Sequence, residues 1–169
     1  MTTFTTAFKP ALNKEGYARL QFIGHEIKSG VSKVTNNETG EITDREWVLL
    51  SIDFDCKGVI RGTNQKISIT TGLTYSEDNI LGKALSKLGY KPPTSDVVFD
   101  DEGFEVAATT DNKEGFEEVD NLVLGIEDFL QSIVDKVFIA KIKKATEGKR
   151  KGFWEIDIDS LQLFVKPNK

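Results

Sequence analysis

The strictest constraint in this sequence is the run of residues 46–56, where Val48, Leu50, Ile52 and Phe54 alternate with Trp47, Leu49, Ser51, Asp53 and Asp55. A period of two belongs to an extended strand with one face on a core, and no helix can bury such a set. The first set is therefore expected to be core and the second to face outward. Residues 67–73 repeat the pattern, with Ile67, Ile69, Thr71 and Leu73 against Lys66, Ser68 and Thr70. The short connection through Lys57, Gly58 and Arg61-Gly62-Thr63-Asn64 joins the two as a hairpin. Upstream, residues 17–30 place Ala18, Leu20 and Phe22 on one face, and Gly24 marks a bulge or bend before Ile27. The outcome is a three-stranded meander. Residues 31–44, rich in Thr, Asn and Ser with a turn at 36–40, read as the loop inside it.

After the meander the period changes. Ser76-Glu77-Asp78 has the chemistry of a helix N-terminus, and Ile80, Leu81, Ala84, Leu85 and Leu88 recur at helical spacing until Gly89. Pro92-Pro93 forbids continuation. Residues 91–121 are acidic, punctuated by Gly and without sustained period, so they read as a surface insertion, with a loosely attached hairpin through Phe104 and Val106. Residues 122–134 carry Leu122, Ile126, Phe129, Leu130 and Ile133 at roughly helical spacing. A strand over 137–144 and another over 153–159, with Trp154, Ile156 and Ile158 on one face, flank the basic turn 147–152.

At 169 residues, one domain is expected, with its core in about 17–90 and 122–165 and the acidic insertion between. No apolar run approaches the ~18 residues of a spanning helix, and the start lacks a secretory signal, which points to the cytoplasm and away from membranes. One cysteine, Cys56, and one histidine, His25, leave no disulfide pair and no structural zinc set. Cys56 reads as core, and His25 beside Glu26 as a surface or half-buried residue rather than a general base. No cofactor is expected, since no Gly-x4-Gly-Lys-Ser/Thr phosphate loop is present.

The net charge of −5 conceals a division along the chain. Residues 1–75 hold 9 Lys/Arg against 8 Asp/Glu, residues 76–128 hold 4 against 14, and residues 129–169 hold 9 against 5. A phosphate backbone responds to the local field of one face, so the basic end counts for more than the sum. Six cations gather there, Lys141, Lys143 and Lys144 on one strand and Lys149, Arg150 and Lys151 in the next turn. Arg61 and Lys66 can extend that track. Trp47 and Phe153 lie out of phase with their strands' apolar sets, so both are expected to point outward as stacking platforms for bases. Tyr17 and Tyr75 are weaker candidates at strand ends.

The order of meander, helix, strand, strand is that of an OB-fold, a five-stranded Greek-key barrel with a helix between strands three and four. Residues 129–141 (FLQSIVDKVFIAK), the basic hairpin and 153–158 (FWEIDI) resemble the strand-four and strand-five region of phage- and mobile-element-encoded single-stranded DNA-binding proteins. Residues 80–90 (ILGKALSKLGY) resemble their helix. The resemblance implies a mainly β protein that binds single-stranded DNA without enzymatic activity, in replication or recombination, with RNA left open as a ligand. Familiar bacterial members end in an acidic tail that recruits partners, whereas this chain ends in FVKPNK, so the acidic middle segment is the alternative place for a protein partner. Exposed edge strands allow a homo-oligomer. Two other readings remain: an OB-fold module that binds protein, and a small Mg²⁺-dependent nuclease using Asp53/Asp55 and Asp157/Asp159, which are more simply solvent-facing strand acids.

Overall fold

The computed structural model describes residues 4–93, 96–112, 115–118, 123–148 and 151–166. The chain is mainly β. Strands β1 (Ala18–Thr35), β2 (Ile42–Lys57) and β3 (Asn64–Thr71) form the expected meander, followed by helix α1 (Ile80–Leu88). The acidic segment contributes β4 (Asp96–Phe99), β5 (Glu105–Asn112) and β6 (Gly115–Glu118). Helix α2 (Ile126–Ser132) leads into β7 (Val137–Ala140), β8 (Ile142–Lys144), β9 (Trp154–Ile156), a 3-10 turn at Ile158–Ser160 and β10 (Gln162–Leu163). The main sheet has five antiparallel strands in the order β10-β7-β1-β2-β3. No described helix is long and apolar enough to cross a membrane.

The alternation written in the sequence is what builds the core. Leu50, Ile52, Phe54 and Cys56 of β2 are buried beside Ala18, Leu20 and Phe22 of β1 and Ile67, Ile69 and Thr71 of β3. Phe54 sits edge-to-face between Phe22, at 5.6 Å, and Phe138 of β7, at 6.2 Å. Each such ring contributes about 1.5–3 kcal/mol by burial, and each edge-to-face pair roughly 0.5–1.5 kcal/mol beyond that. Leu81, Ala84, Leu85 and Leu88 of α1 and Leu130 of α2 close the same cluster.

β1 changes phase at Gly24. Phe22 opposes Phe54 and Gly24 opposes Asp53, so Ile23 is an extra residue in the ladder. The glycine has φ 146°, a conformation that side chains rarely adopt, which is why the bulge falls there.

Several expectations are corrected. Residues 31–44 are no loop: β1 and β2 pair through to Thr35 and Ile42 as a two-stranded ribbon, turning only at Asn36, whose carbonyl accepts from the Gly40 amide at 2.7 Å. The ribbon has run past the core, so Val48, in phase with Leu50, is nevertheless 45% exposed. Leu73 lies beyond the end of β3 and is also exposed. The cap of α1 is Asn79, whose side chain accepts from the Gly82 amide at 2.9 Å, and Ser76-Glu77-Asp78 precede the helix. That leaves Ile80 at the exposed first position. A Cβ at Gly82 would run into the Ser76 carbonyl, which explains a glycine inside this helix. Gly89 closes it in the left-handed conformation.

The insertion contains the expected hairpin, β4–β5 turning before an exposed Phe104, and adds a third antiparallel strand, β6, beside β5. The strand expected over 137–144 breaks at Lys141, whose amide donates to Ser160 Oγ at 2.7 Å instead of to a neighbouring strand. β7 therefore stays in the main sheet while β8 turns away to pair with β9. The last strand ends at Ile156, because Asp157 accepts from the Asp159 amide and starts the 3-10 turn.

Candidate functional site

Strand parity decides what the main sheet shows to the outside. On β2 the row opposite the core is Trp47, Leu49, Ser51, Asp53, Asp55 and Lys57, and on β3 it is Lys66, Ser68 and Thr70. On β1 the row is Arg19 and Gln21 before the bulge, then Glu26, Lys28 and Gly30 after it. Part of this face, Lys28, Ser51, Lys66, Ser68 and Thr70, lines a groove of about 230 Å³ walled by Phe153 and Trp154 at the start of β9.

Asp53 is buried in that floor, against the expectation of a solvent-facing acid. Its Oδ1 accepts hydrogen bonds from Ser51 Oγ and Ser68 Oγ, each at 2.6 Å, and its Oδ2 lies 4.0 Å from Lys66 Nζ. Two short hydroxyl bonds and a nearby ammonium offset the cost of burying a carboxylate. No cluster of three or more metal-ligating side chains exists among the described residues. Asp55 opposes Gln21 and Lys66 across the ladders, and Asp157 caps the 3-10 turn.

Phe153 is 59% exposed at the groove wall, and Trp47 is 37% exposed farther along the β2 row. The Trp47 ring leans across Gly30, its cross-strand partner, with Cε2 only 2.7 Å from where a Cβ on that glycine would stand. Trp47 stands four positions before Ser51, about 13 Å along an extended strand.

The described cations have different neighbours. Lys66 borders the groove, and Lys144 holds its ammonium 6.0 Å from the Trp154 ring centroid. Lys143 instead lines a hollow with Ile80, Lys83 and Asp157 on the side of α1. Lys141 lies 5.6 Å from the Tyr17 ring centroid. Arg61 is exposed in the β2–β3 turn, and Lys151 is exposed just before β9. Lys149 and Arg150 lie outside the described residues. Tyr75 is half-buried, edge-on to Tyr90 at 5.9 Å.

Other residues join the outer face without having been singled out from sequence. Lys28 borders the groove, and Arg19 and Lys57 line a neighbouring hollow with Tyr17 and Phe164. Arg19 stands 5.4 Å from the Phe164 ring centroid. Arg19 was legible as out of phase with Ala18 and Leu20. Lys28 was not, because its face follows from the bulge.

His25 Nε2 lies 3.2 Å from Glu127 Oε1, tying β1 to the start of α2. That contact gives the lone histidine a structural role. Cys56 is buried, and desolvation, with Asp55 beside it, pushes its thiol up to about 11. Such a thiol is a poor nucleophile near neutral pH.

No protein-family model, curated protein or solved structure matches the chain.

Proposed function

We propose that this protein binds single-stranded DNA without enzymatic activity and without reading a defined sequence, in DNA replication or recombination of a phage or similar element. One observation carries the reading: an exposed aromatic ring, Phe153, stands beside Lys28 and Lys66 along a groove on the outer face of β2 and β3. Single strands are held in this way, phosphates by a cationic groove and bases on flat side chains, each stack contributing ~1–3 kcal/mol.

The architecture supports it. We read the chain as an OB-type barrel, with β1-β2-β3 as the meander, β7 returning beside β1, and the β8–β9 hairpin carrying the seam to β3. β9 lies against β3, and the two share hollows in which Phe153 and Trp154 meet residues 65–68 and Thr70 while Ile156 and Ile158 meet 68–70. In OB-folds the faces of strands two and three, between the first and last hairpin loops, take the oligonucleotide.

The test is fluorescence anisotropy of a labelled mixed-sequence oligonucleotide of about 30 nucleotides, at low and high salt and against a duplex competitor. Tight, salt-sensitive binding that prefers the single strand is expected. Absence of binding at low salt overturns the reading.

A second reading, an OB-fold module that binds protein, is favoured by the ribbon, where Ile27, Val31, Ile42 and Val48 are all exposed on one face. A module of that kind ignores oligonucleotides at low salt.

A further inference from the structure

Taking the groove as a nucleic-acid site, we infer that its floor favours bases bearing an exocyclic amine over thymine, because Asp53 holds the protons of Ser51 and Ser68 and leaves these two hydroxyls able only to accept.

A serine hydroxyl has one proton and two lone pairs, and a carboxylate can only accept. Both serine hydroxyls donate to the same oxygen, Asp53 Oδ1, at 2.6 Å. Their protons are thereby committed. Ser51 lies behind, only 2% exposed, whereas Ser68 is half-buried at the groove surface and shows it lone pairs. Asp53 Oδ2 lies 4.0 Å from Lys66 Nζ, and the Asp53 side chain is 11% exposed. Gln65 and Thr70 also border the groove, but an amide or a free hydroxyl can present either a donor or an acceptor and so does not choose. The nearby donors that cannot adapt are Lys28 and Lys66, whose ammonium groups suit phosphates.

A base stacked on Phe153 would meet this floor with its edge. Cytosine brings an N4 amine that can donate to Ser68 Oγ, as adenine does through N6, whereas thymine brings the O4 acceptor to the corresponding place. With O4 at that place thymine sets acceptor against acceptor, and it can offer its N3–H only by sliding along its edge from the position that the amine of cytosine takes. The comparison of cytosine with thymine isolates the effect, since ring size and phosphate number are equal.

The experiment measures anisotropy of labelled oligo-dC and oligo-dT of equal length on the full chain, at mildly alkaline pH so that cytosine is unprotonated. Ser68→Ala and Asp53→Asn are run beside the wild type. Oligo-dC should bind about tenfold tighter, the scale of one good hydrogen bond beside a charged group. Ser68→Ala should bring the two within about twofold by weakening oligo-dC alone. Asp53→Asn should also narrow the ratio, since an amide can donate to Ser68 and release its proton toward the groove. Ser68→Ala keeps the test open even where Asp53→Asn fails to fold. Equal affinities in the wild type, tighter oligo-dT, or a ratio that survives Ser68→Ala overturns the inference while leaving single-strand binding standing. If neither oligonucleotide binds, the reading of the groove itself falls and takes the inference with it.

Discussion

The ring of Trp47 occupies the space beside Gly30, its partner across the β1–β2 ladder, so that a Cβ on residue 30 has no room without moving the indole. The backbone at Gly30 is not in the left-handed region. The glycine serves the neighbour's ring and not its own chain.

Gly30→Ala is therefore expected to displace Trp47 while leaving the fold intact. Steady-state fluorescence should report a changed environment for one of the two tryptophans, and in a Trp154→Phe background the whole change should remain. An unchanged spectrum would show that the indole does not rest on Gly30 in solution.

Phe153→Ala separates binding from folding. The ring is mostly exposed, so the unfolding free energy should hold within about 0.5 kcal/mol, as is typical of surface changes. Single-strand affinity should fall about 5- to 150-fold, the equivalent of ~1–3 kcal/mol of stacking. Reversal of Lys149, Arg150 and Lys151 to Glu should likewise abolish binding with little change in thermal stability, and retained affinity would remove the β8–β9 turn from the interface.

Phe54→Ala should act in the opposite sense. Its ring bridges Phe22 and Phe138, so it joins β2 to both β1 and β7. Loss of a fully buried phenylalanine is worth about 3–5 kcal/mol, a large share of the stability of any small domain. Urea unfolding should show the lowered midpoint.

Alkaline pH should weaken the fold through two buried groups. The Cys56 thiol is raised from 9.0 to about 11 by burial and by Asp55, and the Tyr90 phenol is raised by burial and by Tyr75. In both cases the folded state keeps a proton that the unfolded chain has lost. Their contribution is full below the unfolded values and declines as pH rises through the folded ones. Tyr90 also donates to the Leu124 carbonyl. Tyr90→Phe should thus cost about 0.5–1.5 kcal/mol at neutral pH and show a shallower alkaline decline in urea midpoints.

Most of the sheet was legible in the residues because burial on one face imposes a period of two, and Leu50, Ile52 and Phe54 keep it without a break. The ribbon was not, since past Gly30 the strands hold each other by ladder bonds alone and need no apolar alternation. The cap was misplaced because Ser76 and Asn79 share the same chemistry, and only the path of the chain over Gly82 selects between them. The sequence places Lys141, Lys143 and Lys144 on one strand, but the break at Lys141 sends the three to different neighbours. Asp53 was hidden for another reason. Nothing local distinguishes a solvent-facing acid from one that two serines, one of them on a different strand, enclose.

The extra residue at Ile23 makes β1 a strand with two reading frames. Before it, odd-numbered side chains face outward, and after it even-numbered ones do. Removing one residue beside the bulge returns β1 to plain alternation and leaves Lys28 outward, whereas adding one turns Lys28 to the face of Leu50 unless a second bulge forms. The cationic edge of the groove thus depends on a count of residues as much as on their identity, and a single deletion here should be tolerated better than a single insertion.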